Sequence, residues 1–246
     1  MDFAWLCFCL LIIRFACGVV AGATAIGNVM LSMPLLMLLF TPGDAVLLSI
    51  MMSVFAVPQM AWMYRRYCSF KDILDLILGC IPGCMLGGLV VKFASAQMLQ
   101  LMICAMLFAF VALQCLRRTP WTLPDRRSIG LFAGAVCGFV SSAVAMSGAP
   151  LGIYALLRQW SPDRARGNMS MFYVFSVVGA ALAQAGAGLY TPALFKLAFA
   201  GVVGSVAGQY LGYRLGRRVN QEMFRRIVTA FLALAACILL WRAVMN

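Results

Sequence analysis

Long apolar runs separated by short charged or turn-rich breaks fill this chain from end to end. Between the breaks they fall near residues 3–25, 44–63, 73–91, 97–116, 168–189, 194–213 and 223–244, with a somewhat short run near 129–143. A helix needs about 20 residues at 1.5 Å rise to cross the hydrocarbon core, so these runs predict membrane spans. Two others, near 29–40 and 147–158, are too short to cross. Each follows a Gly/Ser/Ala-rich stretch, the pattern of a broken or re-entrant helix, and the pattern leaves open which of the two it is. The predicted fold class is an all-α polytopic membrane protein of about eight full spans plus two short helices.

Composition agrees. Of 246 residues, 64% are hydrophobic and 11% charged, against about 25% charged in soluble domains. A water-soluble fold of this length could not hide that much apolar surface. No polar stretch is long enough for a separate domain, and Met1-Asp2 lacks the basic region and cleavage site of a secretory signal, so the first run is read as retained. The ten cysteines sit mostly inside apolar runs, where a free thiol acts as a small hydrophobe, so no disulfide framework is expected. There is no histidine, so neither a metal site nor a cofactor is expected.

The net charge of +12 would suggest nucleic acid in a soluble protein, but here it reads as loop bias. Placing loops 64–72, 116–128, 158–167 and 214–226 on one side gathers nearly every Lys and Arg there. Only Lys92, Lys196 and Arg242 fall opposite, and Arg14 lies inside a run. Positive loops mark the cytoplasmic face, so both termini are expected outside, with the chain in the inner (plasma) membrane.

The two halves echo each other. Gly18-Val-Val-Ala-Gly22 leads to Pro34-Leu35 over the same separation that joins Gly134-Ala-Val-Cys-Gly138 to Pro150-Leu151. Thr41-Pro-Gly-Asp-Ala45 then resembles Ser161-Pro-Asp-Arg-Ala165, and Gly83 and Gly87 resemble Gly204 and Gly208. The expected organisation is a first repeat over 1–116, a cytoplasmic linker over 117–128 and a second repeat over 129–246. The charge map sets them inverted, a transporter signature with its site expected where the repeats meet.

These residues carry a resemblance. The Gly-rich first helix, Pro34-Leu-Leu, Thr-Pro-Gly-Asp-Ala, Phe70-Lys71-Asp72-Ile73, and Ser147-Gly148-Ala149-Pro150-Leu151 with Ser161 to Asn168 resemble the TauE/SafE sulfite exporter family. The resemblance implies transport of sulfite, sulfonates or related organic anions. In that family several glycines usually precede the first short helix, whereas this chain reads Ala25-Ile26-Gly27-Asn28.

The candidate substrate-binding residues centre on the two breaks: Gly27, Asn28 and Ser32 in the first, Ser147 and Gly148 in the second. A helix interrupted in the membrane leaves N–H groups free at its positive end, which can hold an anion without a buried Lys or Arg. Close helix packing alone would use the same small residues. Pro34 and Pro150 fit the first turn of a short helix, where a missing N–H costs nothing, and Gly22 and Gly138 are helix-break or structural positions. Asn168 and Gln184 add amide donors within the eighth run, near Ser170, Tyr173 and Ser176. Arg14 is the one base deep in a run, a functional candidate or a snorkelling side chain. The expected partners are a small anionic solute and the lipid bilayer, not nucleic acid, with homo-oligomerisation left open. A membrane-embedded enzyme or an assembly factor is the alternative, although no acid–base or nucleophile pair emerges.

Overall fold

The computed structural model describes residues 3–24, 28–115, 122–124, 126–215, 229–230, 232–239 and 241. Helix is the only regular structure among them. The order is α1 (Phe3–Thr24), α2 (Asn28–Leu36), α3 (Pro42–Tyr64), a 3-10 turn at Arg65–Tyr67, α4 (Phe70–Phe93), α5 (Ala96–Cys115), α6 (Arg127–Val144), α7 (Gly148–Leu157), α8 (Pro162–Gly186) and α9 (Pro192–Leu215). Seven of these, all but α2 and α7, are long and apolar enough to cross a membrane. The run expected over 223–244 lies only partly within the described residues, which are helical there.

Local chemistry sets the boundaries. Thr41 caps α3 by accepting from the Asp44 N–H at 3.3 Å, with Pro42 in the first turn. Ser161 does the same for α8, accepting from the Arg164 N–H at 3.4 Å ahead of Pro162. Consequently α8 starts at Pro162 instead of near 168, and Arg164, Arg166, Gly167 and Asn168 belong to its first turns.

Two helix pairs form the frame. In the first, α1 lies on α9, with Leu11, Phe15 and Val19 of α1 against Gly204, Gly208 and Gly212 of α9. In the second, α4 lies on α6, with Leu76 and Cys80 against Gly134 and Gly138, and Gly79 and Gly83 against Leu131 and Ala135. Residue numbers rise together across each contact, so both pairs are parallel. At each glycine an added Cβ would run into a backbone carbonyl of the facing helix; at Gly18 it would lie 2.9 Å from the Ser205 carbonyl oxygen. Such approach is what drives helix association in lipid, where apolar burial provides no net gain. Gly22 and Gly138 are contact positions of this kind inside α1 and α6, not points where a helix breaks.

The described basic loops gather at one end. Tyr64 at the end of α3 donates to the Gly22 carbonyl at 3.1 Å and meets the Tyr213 ring of α9 edge-on at 5.7 Å. Beside it, Arg164 chelates Asp72 through two bonds of 2.7 Å, and Arg127 reaches Asp75 at 3.1 Å. The Leu123 N–H donates to the Leu157 carbonyl at 3.0 Å, bringing the end of α7 to the start of α6. Helix α1 therefore runs toward this end and α6 runs away from it, although the sequence pairs the two. Each short helix doubles back along its predecessor: α2 along α1, through the Arg14–Ser32 bond, and α7 along α6.

Candidate anion site between the two short helices

The chain leaves α6 through Ala145, whose φ of 59° is left-handed and whose N–H still bonds the Ser141 carbonyl at 2.9 Å. A non-glycine residue in that region stores strain, which concentrates at functional sites. This turn delivers Met146 and Ser147 to the start of α7. Ser147 sits at the N-cap but makes no side-chain bond to the helix amides, and Pro150 in the first turn has no N–H to satisfy. Its hydroxyl therefore does not occupy the Gly148 and Ala149 amides. A Cβ on Gly148 would come within 2.8 Å of the Met30 methyl and 3.3 Å of the Tyr173 hydroxyl, so the starts of α2 and α7 are in contact.

Between them is a cavity of about 60 Å³, where one water needs roughly 10–15 Å³. Its polar lining comes from six helices' worth of chain: Asn28, Ser53, Ser141, Ser147, Tyr173 and Gln209. Several of these groups are unsatisfied. The Asn28 Oδ1, the Ser53 Oγ and both amide atoms of Gln209 are buried with no partner. A buried polar group left unpaired costs about 1–3 kcal/mol, so four such atoms at one cavity are a strong sign of something to be bound.

One turn along lies Arg14, completely buried. Its Nε donates to Ser205 Oγ at 2.9 Å and its Nη1 to Ser32 Oγ at 2.9 Å, while Nη2 has no partner. Ser205 stands four residues from Gln209 on α9, and Ser32 four residues from Asn28 on α2, so each is about 6 Å along its helix from a residue that lines the cavity. Ser32 in turn donates to the Val29 carbonyl at 3.2 Å, and Val29 lines the cavity. The described carboxylates are engaged elsewhere: Asp44 with Thr41, Asp72 with Arg164 and Asn168, Asp75 with Arg127, Asp163 with Arg166. Among the described residues, the Arg14 charge thus has neutral hydroxyl partners only. A buried cation without a counter-ion is costly, and it favours an anion in the adjoining space.

The other sequence candidates separate clearly. Asn28, Ser147 and Gly148 line the cavity, Arg14 and Ser32 lie beneath it, and Gly27 is outside the described residues. Asn168 is at the basic end instead: its Nδ2 donates to Asp72 at 3.0 Å and its Oδ1 accepts from the Ser69 N–H at 2.7 Å. Gln184 is likewise spent, donating to the Ser142 carbonyl at 2.8 Å and accepting from the Tyr190 hydroxyl at 2.7 Å. Burial pushes the Tyr190 phenol up, which keeps that hydroxyl a donor. Both amides tie helices together. Pro150 occupies the first turn of α7 as expected, but Pro34 lies in the second turn of α2, because α2 begins as early as Asn28. Ser53, Ser141 and Gln209 carry no motif in the sequence; the only signal at each is a small or amide polar side chain within an apolar run.

A bundle of long apolar helices closed around two short re-entrant ones, with a buried cation at a polar cavity, is the architecture of a multi-pass membrane protein built to handle a solute. The family model for the sulfite exporter TauE/SafE matches residues 10–239, and the chain belongs to that family of membrane transporters. No curated protein and no solved structure matches it.

Proposed function

We propose that this chain is a secondary transporter that moves a small sulfur-containing anion, sulfite or a related sulfonate, across the inner membrane through the cavity between α2 and α7. The observation that carries this reading is Arg14: a fully buried guanidinium with no described acidic partner, one turn from a cavity edged by two helix starts. The start of α7, whose amides the Ser147 side chain does not cap, brings about half a positive charge and free N–H groups to the cavity. The anion supplies the charge that the site lacks.

The basic loops at the Tyr64 end support a cytoplasmic assignment for that end, with both termini on the other face. The opposed directions of α1 and α6 and the matching α1–α9 and α4–α6 contacts support two inverted repeats, 1–116 and 129–246, meeting at the site. Alternating access would follow from one set of helices rocking against the other, with the Arg164–Asp72–Asn168 cluster closing the basic end in this conformation.

Flux into proteoliposomes tests the proposal. Asn28→Leu and Ser147→Leu each fill the cavity with an apolar group, and each is expected to reduce sulfite flux at least tenfold while the protein still inserts and purifies as a folded species. Normal transport by both variants would move the site elsewhere.

A further inference from the structure

The cavity leaves both a carboxamide donor and carboxamide acceptors unpaired, which a bare oxyanion does not account for. Gln209 is 1% exposed, and its Nε2 and Oε1 both lack partners. Turning the amide over exchanges the two atoms and changes nothing, so the ambiguity of amide assignment does not touch the argument. One end needs an acceptor and the other needs a donor. The Asn28 Oδ1 is a further acceptor without a donor. An ion such as fully deprotonated sulfite, sulfate or thiosulfate brings only lone pairs. It would serve Gln209 Nε2, Ser53 and the helix amides but leave the carboxamide oxygens empty and pressed against negative charge.

We infer that the site takes an anion that keeps a hydrogen-bond donor next to its charged oxygens: a singly charged, still protonated oxyacid, or a small sulfonate bearing a hydroxyl. This rests on the transporter reading above and narrows it. The arrangement matches the local charge as well. Among the described residues, the charged or titratable side chains close to this space are Arg14 of α1, with Cys17 beside it, and Tyr173 of α8, with Cys137 of α6 beside it. The parts of α2, α3, α7 and α9 that line the cavity bring only Asn, Ser, Gln and apolar groups. One fixed cation thus faces one anionic charge, and the proton stays on the cargo. A transporter of this kind moves a proton with each anion without a titrating carboxylate at midplane.

The test compares two ions of equal charge that differ by one hydroxyl, methanesulfonate and hydroxymethanesulfonate, titrated by calorimetry into the purified full-length protein. Hydroxymethanesulfonate is expected to bind at least roughly tenfold more tightly, since the methyl analogue leaves a buried oxygen unpaired. With Gln209→Leu the two affinities should converge; the wild-type pair decides the matter even where that variant fails to fold. For sulfite, apparent affinity is expected to fall about tenfold per pH unit above its second ionisation, because the protonated monoanion disappears as pH rises. Equal binding of both sulfonates, or sulfite affinity flat with pH, would overturn this inference and leave the anion site standing; water would then be what satisfies Gln209. Binding of none of the three probes would overturn the anion site too.

Discussion

Replacing Arg14 with methionine should reduce sulfite binding and flux ten- to a hundred-fold while leaving the protein folded. The magnitude is that of a charge-assisted hydrogen bond, roughly 1.5–3 kcal/mol. The sparing of the fold follows from the same environment. Arg14 is wholly buried and held by Ser32 and Ser205 alone, so its desolvation is offset only in part when no anion is present. An apolar side chain of similar length removes that cost, and buried charges replaced in this way often leave stability unchanged or higher. Thermal stability without ligand should therefore hold or rise, and the stabilisation that sulfite adds should vanish. Arg14→Lys keeps the charge but has no planar fork to reach both serines, and it should fall between the two. A variant with methionine that transports normally would show Arg14 to be a packing residue.

The second large effect concerns the frame. Gly83→Leu should prevent assembly of a stable bundle, read as loss of monodisperse protein in detergent and a collapse of thermal stability. At Gly83 a Cβ already collides with the Ala135 carbonyl, and backbone on both sides leaves nothing that can yield. Overpacking a core costs about 1–3 kcal/mol where side chains can move aside, and more where they cannot. Gly43 offers the control: nothing lies within 4 Å of the position its Cβ would take, so Gly43→Ala should be tolerated. The contrast separates a contact between α4 and α6 from a general dislike of substitution in apolar segments.

Much of the architecture was legible in the order of residues because membrane helices are specified by length and hydropathy. Six of the seven long helices and both short ones follow from run lengths, whereas α6, over Arg127–Val144, outruns the short apolar stretch of 129–143. The start of α8 precedes the apolar run near 168 because a capping hydroxyl followed by proline, Ser161-Pro162, begins a helix even among charged residues. The identical Gly-to-Pro separation in the halves suggested identical helix starts. In the fold, α2 begins six residues before its proline and α7 only two, so Pro34 and Pro150 occupy different turns.

The candidate site was legible in part. Asn28 and Ser147 were found through repeat position, and Arg14 through being the lone base in an apolar run; all three come to one place. Asn168 and Gln184 show the limit. A carboxamide offers the same donor to a ligand, a carboxylate or a backbone carbonyl, and only the neighbours decide which it meets. The same blindness hid Gln209, whose chemistry matches that of Gln184 but which has nothing to bond. Unsatisfied groups are a property of three dimensions, and no spacing rule reveals them.

Selenite has the shape and charge of sulfite with an atom that scatters anomalously, so a crystal of the protein grown with it tests the central claim most directly. The expected result is one strong anomalous peak between Asn28 and Ser147, within hydrogen-bonding reach of the Gly148 amide and on the side of the cavity toward Arg14. A peak confined to the arginines of the loops, or helix starts standing apart with lipid-facing side chains at Asn28 and Ser147, would contradict it.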